Sequence, residues 1–142
     1  MILLDANVLL FAFRRDAPRH EEYRKWLIDR AMSLEPFGIS ELALASLVRI
    51  ATHPQVFRTP SSLADTMAFV QALRERSNCV LIAPGPRHWD IFSHICRASD
   101  ARGNLAVDAY LAALAIESGS EWITTDRDYS RFPGLRWRHP LA

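Results

Sequence analysis

Short apolar runs alternate along this chain with longer segments whose apolar residues recur at helical spacing. Residues 2–5 read as a brief buried strand ending in Asp5. Asn7 follows and can cap a helix reaching about Phe13. Asp16, Ala17 and Pro18 break the chain and start a second helix, with Tyr23, Trp26, Leu27 and Ala31 spaced between charges. Pro36 ends it, and residues 37–40 predict a very short strand. Glu41 opens a helix to about Ala51 with Leu44, Leu47 and Val48 inward, stopped by His53 and Pro54. Ser62, followed three residues later by Asp65, resembles a capping box and starts a helix striped by Leu63, Met67, Val70 and Leu73. Residues 79–82 predict a strand. Pro86 suits the first position of the next helix, whose inner face is read as Trp89, Phe92 and Cys96. After a polar loop at 99–104, Asn104 caps an Ala-rich helix that Gly119 terminates. Residues 121–125 read as a strand leading to Asp126. Residues 135–138 alternate apolar and basic positions, as expected at a sheet edge.

Strands alternating with helices predict an α/β fold, with a mainly parallel central sheet of four or five short strands flanked by helices. A length of 142 residues suits a single domain over 1–142 with a real core. In such sheets ligands bind beyond the carboxyl ends of the strands, where the strand order switches. Asp5, Glu41 and Asp126 all fall just past strand carboxyl ends. Asp108 is the only charged residue in the run 105–116, and it joins them if the first turn of its helix faces that edge. A lone carboxylate among apolar neighbours is expected to be buried and costly unless it is paired or neutralised. Four converging acids would suit a hard divalent cation with oxygen ligands.

Composition narrows the partners and the compartment. An apolar fraction of 49% with 23% charged residues is that of an ordinary soluble globular chain, and a net charge of +1 gives no global polyanion-binding signature. Lys25 is the only lysine among 17 basic residues. Arginine suits phosphate, because the guanidinium is a rigid fork of donors, and the C-terminal part carries Arg127, Arg131, Arg136 and Arg138. Cys79 and Cys96 have neither zinc spacing nor a disulfide framework and are expected to be reduced. The five histidines show no metal-site spacing. The apolar start lacks a basic leader and contains Asp5 and Asn7, unlike a signal peptide. No run reaches membrane-spanning length. The expectation is a soluble cytoplasmic protein.

A carboxylate cluster holding Mg2+ or Mn2+ hydrolyses phosphodiesters without a nucleophilic side chain, since the metal polarises the phosphoryl group and acidifies a bound water. Asp5-Ala6-Asn7 after the first strand, Ser40-Glu41-Leu42, Val107-Asp108-Ala109 in an Ala-rich helix and Thr124-Thr125-Asp126-Arg127-Asp128 resemble the acidic motifs of the PIN-domain ribonucleases. The order of these motifs and the Phe132-Pro133-Gly134-Leu135 ending resemble the toxin components of VapBC toxin–antitoxin pairs. The resemblance covers almost the whole chain. It implies a three-layer PIN-like sandwich and a Mg2+- or Mn2+-dependent endoribonuclease acting on RNA. It further implies inhibition by a cognate VapB-type antitoxin and a homodimer. By the same likeness Asp5, Glu41, Asp108 and Asp126 form the catalytic site and Asp5, Asp108 and Asp126 hold metal, with Asp5 and Asp108 the primary ligands. Asn7 and Thr124 would support them by hydrogen bonds. Apart from the likeness, the arginine chemistry makes Arg127 and Arg131 candidate RNA contacts, with a solvated edge the plainer reading.

Each acid also has a plainer reading. Asp5 could cap the first helix, Glu41 could be a favourable charge at a helix start, and Asp126 could form an Asx turn. Asp108 could pair with a buried Arg. Together these require four coincidences on one sheet edge. Asp128 reads better as a cap of the turn after Asp126, and the four tryptophans as mostly core. A Mg2+-dependent phosphotransfer or phosphatase domain wants a late Lys that is absent, and the phosphatase wants a second Asp where Asn7 stands. A non-catalytic interaction module on the same fold would be favoured by a missing acid, and none is missing. No Gly-rich turn follows the first strand to support a dinucleotide binder.

Overall fold

Side chains buried on both faces define the central strands. In the computed structural model, which describes Met1–Ala142, Leu3 and Leu4 of β1 (Ile2–Leu4) are wholly buried and point to opposite sides. Leu4 packs with Phe37 and Ile39 of β2 (Phe37–Ile39) and Ile123 of β4 (Glu121–Ile123). Beneath them lie α1 (Ala6–Phe13), α2 (His20–Met32), α3 (Glu41–Ala51) and α4 (Leu63–Arg74). Leu3 and Trp122 face the other layer, built from α5 (His88–Ser99) and α6 (Asn104–Glu117). Central strands covered on both sides in this way leave no polar face, the usual state of the middle of a parallel sheet.

With β3 (Cys79–Leu81) and β5 (Trp137–Arg138), the strands form one sheet in the order β3-β2-β1-β4-β5, and every pairing is parallel. The sheet thus has five strands and is parallel throughout rather than mainly so. The chain moves outward from β1 to β3, then returns to the other side of β1 with β4. The switch in strand order therefore lies between β1 and β4, whose register pairs Leu4 with Ile123. Six alanines or leucines of α6 are buried, led by Ala109, Ala112 and Ala113, so this helix lies close on the sheet. No helix is long and apolar enough to cross a membrane.

The elements form where the sequence pattern places them, but several ends and faces differ. Asp5, not Asn7, is the N-cap of α1, and Asn7 lies inside its first turn. The second helix starts only at His20, after Arg19 takes a left-handed φ of 58°. α5 starts at His88 rather than at Pro86, because the Glu117 carboxylate accepts from the backbone N–H groups of Gly85 (2.7 Å) and Arg87 (2.9 Å) and holds the preceding turn. Gly103, not Asn104, caps α6. Gly119 does end it, with φ 67°. The inner face of α4 is Thr66, Val70 and Leu73, while Leu63 and Met67 are exposed. Thr66 is tolerated inside because its hydroxyl donates to the Ser62 carbonyl at 2.8 Å. In α5 the fully buried positions are His88 and Ile95, Phe92 and Cys96 pack against the same core as expected, and Trp89 is 65% exposed. His88 bonds to the Tyr110 carbonyl at 2.9 Å, which explains a polar residue on that face. Of the tryptophans only Trp122 is fully buried.

One buried cation ties α1 to the loop before α4. Arg14 is 9% exposed and donates to both Asp16 oxygens, to the Thr59 carbonyl (2.9 Å) and to Ser61 Oγ (3.1 Å). Its guanidinium also lies 3.7 Å from the centre of the Phe57 ring. Arg14→Ala should lower unfolding free energy by roughly 2–3 kcal/mol through lost packing and an orphaned carbonyl. Urea unfolding against wild type measures this, and a change within about 0.5 kcal/mol would refute the anchor.

Candidate active site

The carboxyl ends of β1 and β4 bring the first acids together. The Asp5 backbone N–H donates to the Ile123 carbonyl at 3.0 Å, continuing the strand pairing by one residue. Asp5 is only 6% exposed. One of its carboxylate oxygens accepts from the Thr124 hydroxyl at 2.6 Å, the other from the Ala6 N–H at 2.7 Å. Thr124 Oγ1 accepts in turn from the Asn7 side-chain amide (3.2 Å) and from the Asp126 N–H (3.0 Å). Asn7 Oδ1 accepts from the Thr125 N–H at 3.3 Å. Asn7 and Thr124 thus form a hydrogen-bonded lattice across the strand switch that fixes Asp5 and the backbone at Asp126.

Asp126 is the N-cap of a 3-10 turn, Arg127–Arg131, and accepts from the Asp128 N–H at 2.8 Å. Asp126, not Asp128, is therefore the cap; Asp128 is exposed and faces Arg131 at 3.7 Å. Asp108 stands one turn into α6 and accepts from the Tyr129 hydroxyl at 3.2 Å. Tyr129 is buried against Trp122 and Phe132. Burial, then the nearby carboxylates Asp5 and Asp108, raise its phenol far above the usual range, so it stays a neutral donor.

Asp5, Asp108 and Asp126 line one cavity of about 250 Å³ with Asn7, Tyr129 and the α3 residues Ser46 and Arg49. The first turns of α6 do face the other acids. The expectation of a buried Asp108 is corrected: it is half-buried, and the deeply buried carboxylate is Asp5. Apolar neighbours along the chain surround Asp108 on its own helix, but its position turns toward the cavity mouth. Burial pushes the Asp5 carboxyl up to about 6, and repulsion by Asp108 and Asp126 adds to this against the hydrogen bonds from Thr124 and Ala6. Asp108 is also raised, chiefly by burial, with Asp126 and Asp128 contributing. None of the three is ion-paired.

Glu41 is placed differently. It occupies the first turn of α3 on the same sheet edge, but its carboxylate is 77% exposed and bonds to Arg74 at 3.2 Å, outside the cavity. Arg127 and Arg131 are exposed and do not line the cavity either. Ser46, Arg49 and Tyr129 are site residues that the sequence pattern alone did not single out. Their signal was periodic: Ser46 and Arg49 share a face at i, i+3, and Tyr129 follows Asp126 by three residues in a 3-10 turn.

No three His, Cys, Asp or Glu side chains sit close enough to enclose an ion by direct contact alone. The donors in the cavity are nevertheless all oxygens. A hydrated hard cation held through one or two carboxylates and its own waters fits this set, whereas a zinc site would want His or Cys.

The PIN-domain family model matches residues 2–135. The chain belongs to the PIN-domain family. Among its relatives, VapC ribonuclease Mb2897 of Mycobacterium bovis is 40% identical over 141 residues, covering 99% of this chain and 96% of that protein. Ribonuclease VapC25 of Mycobacterium tuberculosis is 39% identical with 99% of each chain covered. Solved structures share the PIN fold. The VapBC2 structure from Rickettsia felis, bound to a promoter DNA fragment, superposes with TM-score 0.71 at 16% identity over 98% of both chains. The sarcin-ricin-loop-cleaving toxin VapC20 of Mycobacterium tuberculosis gives 0.66 at 16% identity, covering 96% of this chain and 99% of that one.

The raised Asp5 carboxyl of this PIN domain carries a stability signature. The folded protein keeps the Asp5 proton up to about pH 6, while the unfolded chain releases it near pH 4. Stability therefore falls as pH rises from about 4 to 6 and stays lowered above that. In EDTA at pH 8, Asp5→Asn should be more stable than wild type by roughly 1–3 kcal/mol, an advantage that fades as the pH is lowered toward 4. Urea unfolding across this range measures it, and a pH-independent difference would refute the assignment.

Proposed function

We propose that this PIN domain is a divalent-metal-dependent endoribonuclease and the toxin of a VapBC-type pair. The observation that carries the reading is a buried, unpaired carboxylate, Asp5, sharing one cavity with Asp108 and Asp126 at the strand switch. The VapC ribonuclease names of its relatives supply the substrate class, RNA. Solved relatives described as VapBC assemblies support an antitoxin partner of the VapB type. A homodimer and a cytoplasmic location belong to the same reading.

Asp5, Asp108 and Asp126 are the residues that would hold Mg2+ or Mn2+, one or two of them directly and the rest through the ion's waters. When bound, such an ion supplies Lewis acidity toward the phosphodiester and a water of lowered pKa. The protein's own groups do the positioning. Thr124 and Ala6 fix both oxygens of Asp5, Tyr129 fixes one oxygen of Asp108, and Asn7 locks Thr124. Arg49 is the only cation lining the cavity and has no ion pair, so its guanidinium is free for the substrate phosphate. Glu41 serves the site by leaving Arg74; an exposed pair of this kind is worth at most about 1 kcal/mol, so the exchange is cheap.

Purified protein free of antitoxin should cleave RNA with Mg2+ or Mn2+ and stop in EDTA. Undiminished cleavage in EDTA would overturn the metal reading. Asp5→Asn and Asp108→Asn should each lower cleavage by about a hundredfold or more with the fold intact, and Glu41→Gln by about tenfold. Single-turnover assays on each variant read this order; normal cleavage by both Asp variants would contradict it.

A further inference from the structure

The 3-10 turn that carries Asp126 separates two cavities of opposite charge. Side chains three apart in such a turn point the same way. Asp126 and Tyr129 face the acidic cavity, while Arg127 and Ser130 line a second groove of about 630 Å³. This groove also receives Arg19 from the residue before α2, Arg138 and Trp137 from β5, and His139. No Asp or Glu side chain lines it. Arg19 is paired with Glu22 and Arg138 with Glu121, each at 2.6 Å, but Arg127 has no ion pair. His139 is held below its ordinary range by burial and then by Arg19 and Arg127, so near neutrality the positive charge of the groove comes from the guanidiniums.

We propose that this groove binds the phosphates of the RNA chain flanking the scissile bond, with Arg127 and Arg19 as the principal contacts. The proposal rests on the ribonuclease reading and extends it from the cleaved bond to the strand. A strand crossing from the acidic cavity over the turn at Asp126 meets Arg127 first. The groove combines three guanidiniums with apolar surface, and Trp137 adds aromatic surface of the kind on which a base stacks. Arg131, on the next position of the turn, faces Asp128 instead and is not part of the groove.

The test is binding of labelled single-stranded RNA of about six and about twenty nucleotides, measured by anisotropy over a range of NaCl concentrations in EDTA. Each lost phosphate contact should lower the slope of log affinity against log salt by about 0.7. R19Q/R127Q should therefore lose about 1.4 of slope on the longer RNA and bind it about tenfold more weakly, with a smaller loss on the shorter one. R127K should recover most of the affinity of R127Q, which separates charge from damage to the fold. R97Q, on the exposed face of α5, should match wild type. If wild type binds RNA with a steep salt dependence and the double variant has the same slope, the groove assignment is wrong while the ribonuclease reading stands. If the double variant binds RNA normally but no longer forms the antitoxin complex or the dimer, the groove is a protein interface and the proposal is overturned. If wild type binds neither RNA at any salt concentration, the groove proposal falls, while cleavage in Mg2+ decides the ribonuclease reading separately.

Discussion

The structure depends most on how it holds one carboxylate, Asp5, out of water between two strands. Asp5 ends the central strand, caps the first helix and shares a hydrogen bond with Thr124 from the adjacent strand. These three roles need the parallel β1–β4 register, because only that register puts Thr124 opposite the residue after Leu4. The consequence is a carboxylate with two donors, no ion pair of its own and two further carboxylates along the same cavity. Burial of this sort is costly unless something positive arrives. The PIN-domain site is therefore a place where the fold tolerates repulsion that a ligand relieves, and Tyr129 and Asn7 keep it from relaxing by rotation of the acids.

Charge is also partitioned around that centre. The acids and the basic groove lie on successive faces of the single turn Arg127–Arg131. A near-neutral chain can thus carry a strong local field in two directions, which a net charge of +1 conceals. In the proposed ribonuclease the two sets would divide the work: the acids would attract metal and the arginines the polyanion.

Much of this was legible in the sequence, for physical reasons that can be named. Short apolar runs ending in polar residues marked four strand ends, and the acids after β1, β2 and β4 followed from that placement alone. Rotation of helices about their axes was harder to read. Thr66 and His88 take inward positions because the backbone satisfies their polar atoms, which no hydropathy pattern records. The same limit explains Asp108, whose apolar neighbours in sequence suggested a burial that its helix face does not give, and Arg49, an exposed residue that lines the cavity because α3 turns that face toward its mouth. Glu41 was placed on the right edge, but the direction of an exposed side chain depends on Arg74, which lies 33 residues away in the chain. Asp5, read alone as a helix cap, does cap the helix; its burial comes from strand pairing across 118 residues of chain and could not be seen locally.

On the proposed reading, the ionised Asp5 carboxylate is destabilised in the metal-free protein and stabilised by a divalent cation. The most direct test of this is the titration of the Asp5 carboxyl carbon by NMR, with and without saturating Mg2+. The midpoint should lie near 6 in the metal-free protein and fall below about 4 when Mg2+ is present, because a bound cation favours the ionised form. An Asp5 midpoint that is the same with and without Mg2+ would contradict it.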